Sequence, residues 1–172
     1  MIAVVGVAGT LVSALLTQRG ATRSKEMELA HAERESRLAQ QVEEERRLEE
    51  MRRACYVSLN QLARRFHSVM FLYSQAREQG APSEAQESAL EEARGAYQGI
   101  YSEAQMLVPG PVMREAHATN AALMGVYEFL KGIERGTPEN PPERLEDYLR
   151  SASGRLGLLR NSLRSDLGLD EF

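Results

Sequence analysis

Few residues of this 172-residue chain combine a reactive type with a useful spacing. Glu28-Leu-Ala-His31 has the Glu-x-x-His spacing of carboxylate-bridged metal bundles. Those sites need two such motifs, plus further glutamates aimed into a bundle core. Here one copy stands in a densely charged stretch, so a solvated helix surface is the better reading. His67 and His117 have no acidic or cysteine partner at ligand spacing and read as boundary packing. The single Cys55 excludes an intrachain disulfide and fits a reducing compartment. It falls on an apolar stripe and reads as a small buried residue rather than a nucleophile. Tyr56, Tyr73, Tyr97 and Tyr101 also fall near such stripes and read as core. No strand is expected, so no glycine-rich phosphate loop can follow one. These residues imply no catalytic group, no metal and no cofactor, and an enzyme is not expected.

What the sequence does offer is a charge pattern. The net charge of −4 argues against a general nucleic-acid binder, which is usually basic. Residues 84–103 carry Glu84, Glu87, Glu91, Glu92 and Glu103 against Arg94. After Asp147 come Arg150, Arg155, Arg160 and Arg164, with no acid until Asp166. These four arginines are the candidate interaction face. They could meet the acidic helix of another copy or bind another protein. Two ordinary solvated faces are the simpler reading. Contact with nucleic acid or anionic lipid would call for basic residues interleaved with aromatics, a pattern missing here.

The elements that position these residues are helices. No proline occurs from Met1 to Gly80, and all six lie beyond. This first stretch reads as one nearly continuous helix with three parts. Residues 1–18 carry no charge and would span roughly 25 Å, just under the ~30 Å of a bilayer core. They read as a transmembrane anchor. A cleaved signal peptide would call for a basic residue before the apolar run and a better cleavage site. A buried core helix is the other reading, which the flanking charges disfavour. Arg19, Arg23 and Lys25 follow the run directly, so the bulk of the chain is expected on the cytoplasmic side of the cell membrane. Gly6 and Thr10, and Gly9 and Ser13, are four apart and form a candidate packing face for self-association in the bilayer.

Residues 19–53 read as a charged helical stalk. Glu33–Arg37, Glu43–Arg47 and Glu49–Arg53 are spaced to pair. Met27, Leu29, Leu38, Val42 and Leu48 make no sustained heptad, so a solvated helix or weak coiled coil is expected. Residues 54–167 then become regularly amphipathic, with residues 168–172 as a tail. The expected seams are Cys55-Leu59-Leu62-Phe66-Val69-Tyr73, Leu90-Ala93-Tyr97-Ile100-Ala104-Leu107, Val112-Ala116-Thr119-Leu123-Val126-Leu130-Ile133, and Leu145-Leu149-Ala152-Leu156-Leu159-Leu163 with Leu167. Ser83 with Gln86 forms a capping box. Asn140 with Pro141 suits the start of the last helix. Gly95 and Gly99 weaken their helix and hint at a close neighbour. The fold class is therefore all-α: a transmembrane helix, a charged stalk and an up-down four-helix bundle. A three-helix bundle with the first helix wholly a stalk is the alternative.

The opening Ile2-Ala-Val-Val-Gly-Val-Ala-Gly-Thr-Leu11, the run Thr17-Gln-Arg-Gly and the later Arg52-Arg53-Ala-Cys-Tyr56 resemble small actinobacterial membrane-anchored helical proteins of the KilB type. The resemblance covers mainly residues 1–60. It implies a membrane protein that assists conjugative plasmid spread in the mycelium as a scaffold, with the DNA motor elsewhere. It carries over no catalytic residue. The expectation is an interaction protein whose partners are the membrane, other proteins and further copies of itself. A sensor or regulatory module signalling through the stalk is the second expectation.

Overall fold

The computed structural model describes the backbone of residues 3–134 and 142–169, and the side chains of residue 27, residues 31–132 and residues 144–169. The expected anchor (1–18), its packing face at Gly6, Gly9, Thr10 and Ser13, the flanking Arg19, Arg23 and Lys25, the side chains of Glu28 and Ile133, and the Asn140–Pro141 cap lie outside the described side chains. Among the described residues no helix is long and apolar enough to cross a membrane.

The described backbone is all-α, with helices α1 (Ala3–Glu78), α2 (Glu84–Leu107), α3 (Gly110–Glu134) and α4 (Pro142–Asp166). Contacts divide the chain into two units, Met1–Leu48 and Glu49–Phe172. In the first, every described side chain is exposed, Leu38, Val42 and the boundary residue Leu48 included. Glu33 and Arg37 close to 3.7 Å, and His31 approaches Glu35 to 3.5 Å. Ion pairs Glu43–Arg47 and Glu49–Arg53 do not form among the described residues. A solvated i,i+4 pair gains only a few tenths of a kcal/mol, too little to hold two long side chains together.

The second unit is a helical bundle, and its cross-links fix the direction of each helix. Tyr56 reaches Asp166 and His67 reaches Leu149, so α1 and α4 run antiparallel. Tyr101 meets His117 and Glu91 meets Tyr127, so α2 and α3 do too. Thr119 meets the Arg155 carbonyl and Phe129 packs on Tyr148, which reverses α3 against α4. Arg65 bonds Glu92 across α1 and α2.

Helix ends follow the local sequence. The Ser83 hydroxyl accepts from the Gln86 N–H at 3.3 Å while the Gln86 side chain accepts from the Ser83 N–H at 2.8 Å, the reciprocal capping box. Gly168, at φ +68°, closes α4. The Leu169 N–H reaches the Arg164 carbonyl and the Gly168 N–H reaches Ser165, the Schellman pattern that satisfies orphan carbonyls. Such a backbone conformation favours glycine.

The core is a single cluster drawn from all four helices. The α2 seam is buried from Leu90 to Ala104, with Leu107 partly covered. The α4 seam is buried from Leu145 to Leu163, with Leu167 partly covered. On α3 every described seam residue is buried, and Phe129 joins them. On α1 the seam differs from expectation. Ala63 and Met70 are fully buried, whereas Leu62 and Val69 are only partly covered. A helix walled in by three others buries a stripe wider than one heptad row, and its axis lies one residue away from the largest aliphatics. Gly95 and Gly99 also differ: a Cβ added at either would meet nothing within 4 Å. No helix makes use of their smallness among the described residues.

Candidate interaction surfaces

The four arginines of α4 are separated by what each can reach. Arg150 turns to Asp147 one turn back on the same helix, at 3.2 Å. Arg155 lies 3.9 Å from Glu115 on α3, a loose pair on a half-exposed surface. The Arg164 guanidinium donates to the Leu169 carbonyl at 2.8 Å and helps close the helix end. Arg160 is exposed and forms no ion pair with a described residue. The expected single basic face is therefore divided, with Arg160 and Arg164 brought to one place. That place is a groove of about 180 Å³ between α1 and α4, which those two arginines line together with Tyr56, Val57, Leu163 and Leu167.

Tyr56 anchors the groove from below. It is 2% exposed, and its hydroxyl donates to Asp166 at 2.6 Å, with Arg52 3.8 Å from the same carboxylate oxygen. Burial, then the bond to Asp166, raise the phenol's pKa, so it remains a donor. A second groove, of about 320 Å³, lies between α1 and α2 near their turn. Val69, Leu72, Ala76 and Ala89 make its apolar part, with Gln75 and Gln79 beside them.

The acids of α2 are also divided. Glu91 accepts from the Tyr127 hydroxyl at 2.7 Å and from Arg94 at 3.1 Å, with Lys131 at 3.5 Å. Arg94 and Lys131 lie over the Tyr127 ring, which adds cation–π attraction. Partial burial alone would raise the Glu91 pKa. The Tyr127 and Arg94 hydrogen bonds and the Lys131 and Arg94 charges outweigh it and hold the carboxyl below its usual value. A depressed carboxyl adds stability above its unfolded pKa, and that stability fades as pH falls through the folded value. Glu91→Gln should therefore flatten the acid limb of the stability profile below about pH 4.5, with little change in slope near neutrality. Urea midpoints measured across that range test this; an unchanged acid limb counts against the network.

The remaining reactive types are absorbed by packing. The half-buried His67 bonds the Leu149 carbonyl through Nε2 at 3.0 Å. His117 Nδ1 meets the Tyr101 hydroxyl at 2.5 Å, with the rings edge to face. Cys55 is buried, and burial, then the nearby Glu103 carboxylate, push its thiol pKa up, away from thiolate chemistry. Tyr97 stacks on Phe66, and its buried hydroxyl finds no protein partner among the described residues. Among those residues no group of three or more His, Cys, Asp or Glu is gathered to hold a metal ion. Periodicity could not reveal the Glu91–Tyr127 and Glu91–Lys131 contacts or the Tyr56–Asp166 bond, since each joins residues far apart in sequence. No family model matches this chain, and neither does any curated protein or solved structure.

Proposed function

We propose that this chain is a membrane-anchored helical scaffold. Its bundle would be held at the cytoplasmic face and act by protein–protein contact, in a role such as conjugative plasmid spread in mycelium. One observation carries the reading: a single helix, α1, is exposed without interruption over residues 31–51 and then forms a wall of the bundle core from Cys55. A helix that spends so many residues without burying any suits a tether or a docking rod better than a self-contained fold. The charge-free run at its start supplies the means of anchoring. The basic residues after that run supply the orientation.

The full-length chain should remain with membranes after an alkaline wash, and a chain lacking residues 1–18 should move to the soluble fraction. A reporter fused after Phe172 should behave as cytoplasmic. Full-length protein in the soluble wash, or an active reporter outside the cytoplasm, overturns the reading.

A regulatory module signalling along α1 is the second reading. The groove between α1 and α2 favours it, since a ligand there would touch α1 directly through Val69, Leu72 and Tyr73.

A further inference from the structure

Two unsatisfied patches lie at the same end of the bundle. On α2, Met106 is 85% exposed, the highest figure among the large hydrophobics of the described residues. Glu103, one turn back, is exposed and forms no salt bridge among the described residues. Between α1 and α4, the groove presents the exposed Val57 and the partly covered Leu167 over the buried Leu163, and beside them stands Arg160, which forms no ion pair among the described residues. Phe66 of α1 packs on Tyr97 of α2, and the short 79–83 link makes these helices antiparallel, so the step from Tyr97 to Met106 matches the step from Phe66 back to Val57, which lines the groove. Knob and groove therefore stand at one level along the bundle axis.

We propose that the groove is occupied by a second copy of this chain, whose Met106 enters between α1 and α4 while its Glu103 pairs with Arg160. The match is apolar to apolar and carboxylate to guanidinium, and neither Glu103 nor Arg160 has an ion-pair partner among the described residues. Equal axial level lets two bundles lie side by side with their Glu49 ends pointing the same way. Copies anchored in one membrane would need that arrangement. Knob and groove are separate patches. Two copies that exchange both contacts about a two-fold axis make an isologous dimer, and copies that pass the contact on to a third make a ring or an open row. The proposal deepens the scaffold reading and rests on it.

The test is sedimentation equilibrium of the full-length chain in density-matched detergent. The wild type should self-associate. Met106→Asp, Glu103→Arg and Arg160→Glu should each weaken association by about tenfold or more. Glu103→Arg and Arg160→Glu combined should recover most of the loss, because the swapped charges face each other again. All three positions are exposed, so the variants should keep the wild-type thermal transition. A monomeric wild type, single variants without effect, or a combined variant with no recovery each overturns the contact. A membrane-bound chain that stays monomeric overturns this contact alone and leaves the anchored reading standing. Association with charge-swap recovery, in a chain that washes off membranes, upholds the contact and overturns the anchor.

Discussion

Replacing Phe66 by alanine is expected to cost about 3–5 kcal/mol of stability. Phe66 is fully buried on α1 and touches the two helices that follow it. Its ring stacks on Tyr97 of α2 at 5.7 Å between centroids and tilts against Tyr127 of α3 at 6.2 Å. Such aromatic pairs add about 0.5–1.5 kcal/mol beyond area burial. The truncation also leaves a cavity that rigid helices fill poorly. The loss is a large part of the ~5–15 kcal/mol available to a domain of this size. The chain has no tryptophan, so the transition is best followed by the near-ultraviolet circular dichroism of its tyrosines in urea. A change below about 1 kcal/mol would mean that Phe66 is not the hub of the core.

Asp166→Ala should cost about 1–3 kcal/mol, mostly by leaving the buried Tyr56 hydroxyl without its acceptor. Asp166 also lies 3.8 Å from the Arg52 Nε, which is buried without a hydrogen-bond partner among the described residues. Tyr56→Phe removes donor and need together and should cost less than Asp166→Ala. The order of the two urea midpoints checks this, and a larger cost for Tyr56→Phe would refute it. The comparison matters beyond stability, because Tyr56 lines the groove between α1 and α4. Loosening that joint should also loosen whatever docks there.

Much of the fold was legible because helical spacing is local. The stripe Leu90-Ala93-Tyr97-Ile100-Ala104 is buried as spaced, and so is Leu145-Leu149-Ala152-Leu156-Leu159-Leu163. The Ser83–Gln86 cap needs only four residues to specify itself. The seam of α1 was harder. Leu62 and Val69 are the larger aliphatics, yet Ala63 and Met70 take the centre. Residue size ranks positions on one helix, but the approach of the neighbouring helices decides which row is central.

The candidate site was less legible. In sequence, Arg150, Arg155, Arg160 and Arg164 are equivalent cations. Arg150 had its partner in view, Asp147 three residues earlier. Arg155 acquires Glu115 only because antiparallel packing brings α3 level with it. Arg160 is left over, beside a groove that exists only once α1 and α4 are side by side. Glu91 likewise looked like one more surface acid near Arg94 on its own helix, and packing added the Tyr127 hydroxyl as a donor and Lys131 as an ion-pair partner.

By itself the sequence determined an all-helical chain, the apolar faces of α2, α3 and α4 and the helix breaks between them, since propensity, capping and 3.6-residue periodicity act over neighbouring residues. Tertiary structure alone decided which charges are satisfied between helices and which remain available. Coulomb and hydrogen-bond energies depend on distances of a few ångströms between residues far apart in the chain, and the packing of helices sets those distances.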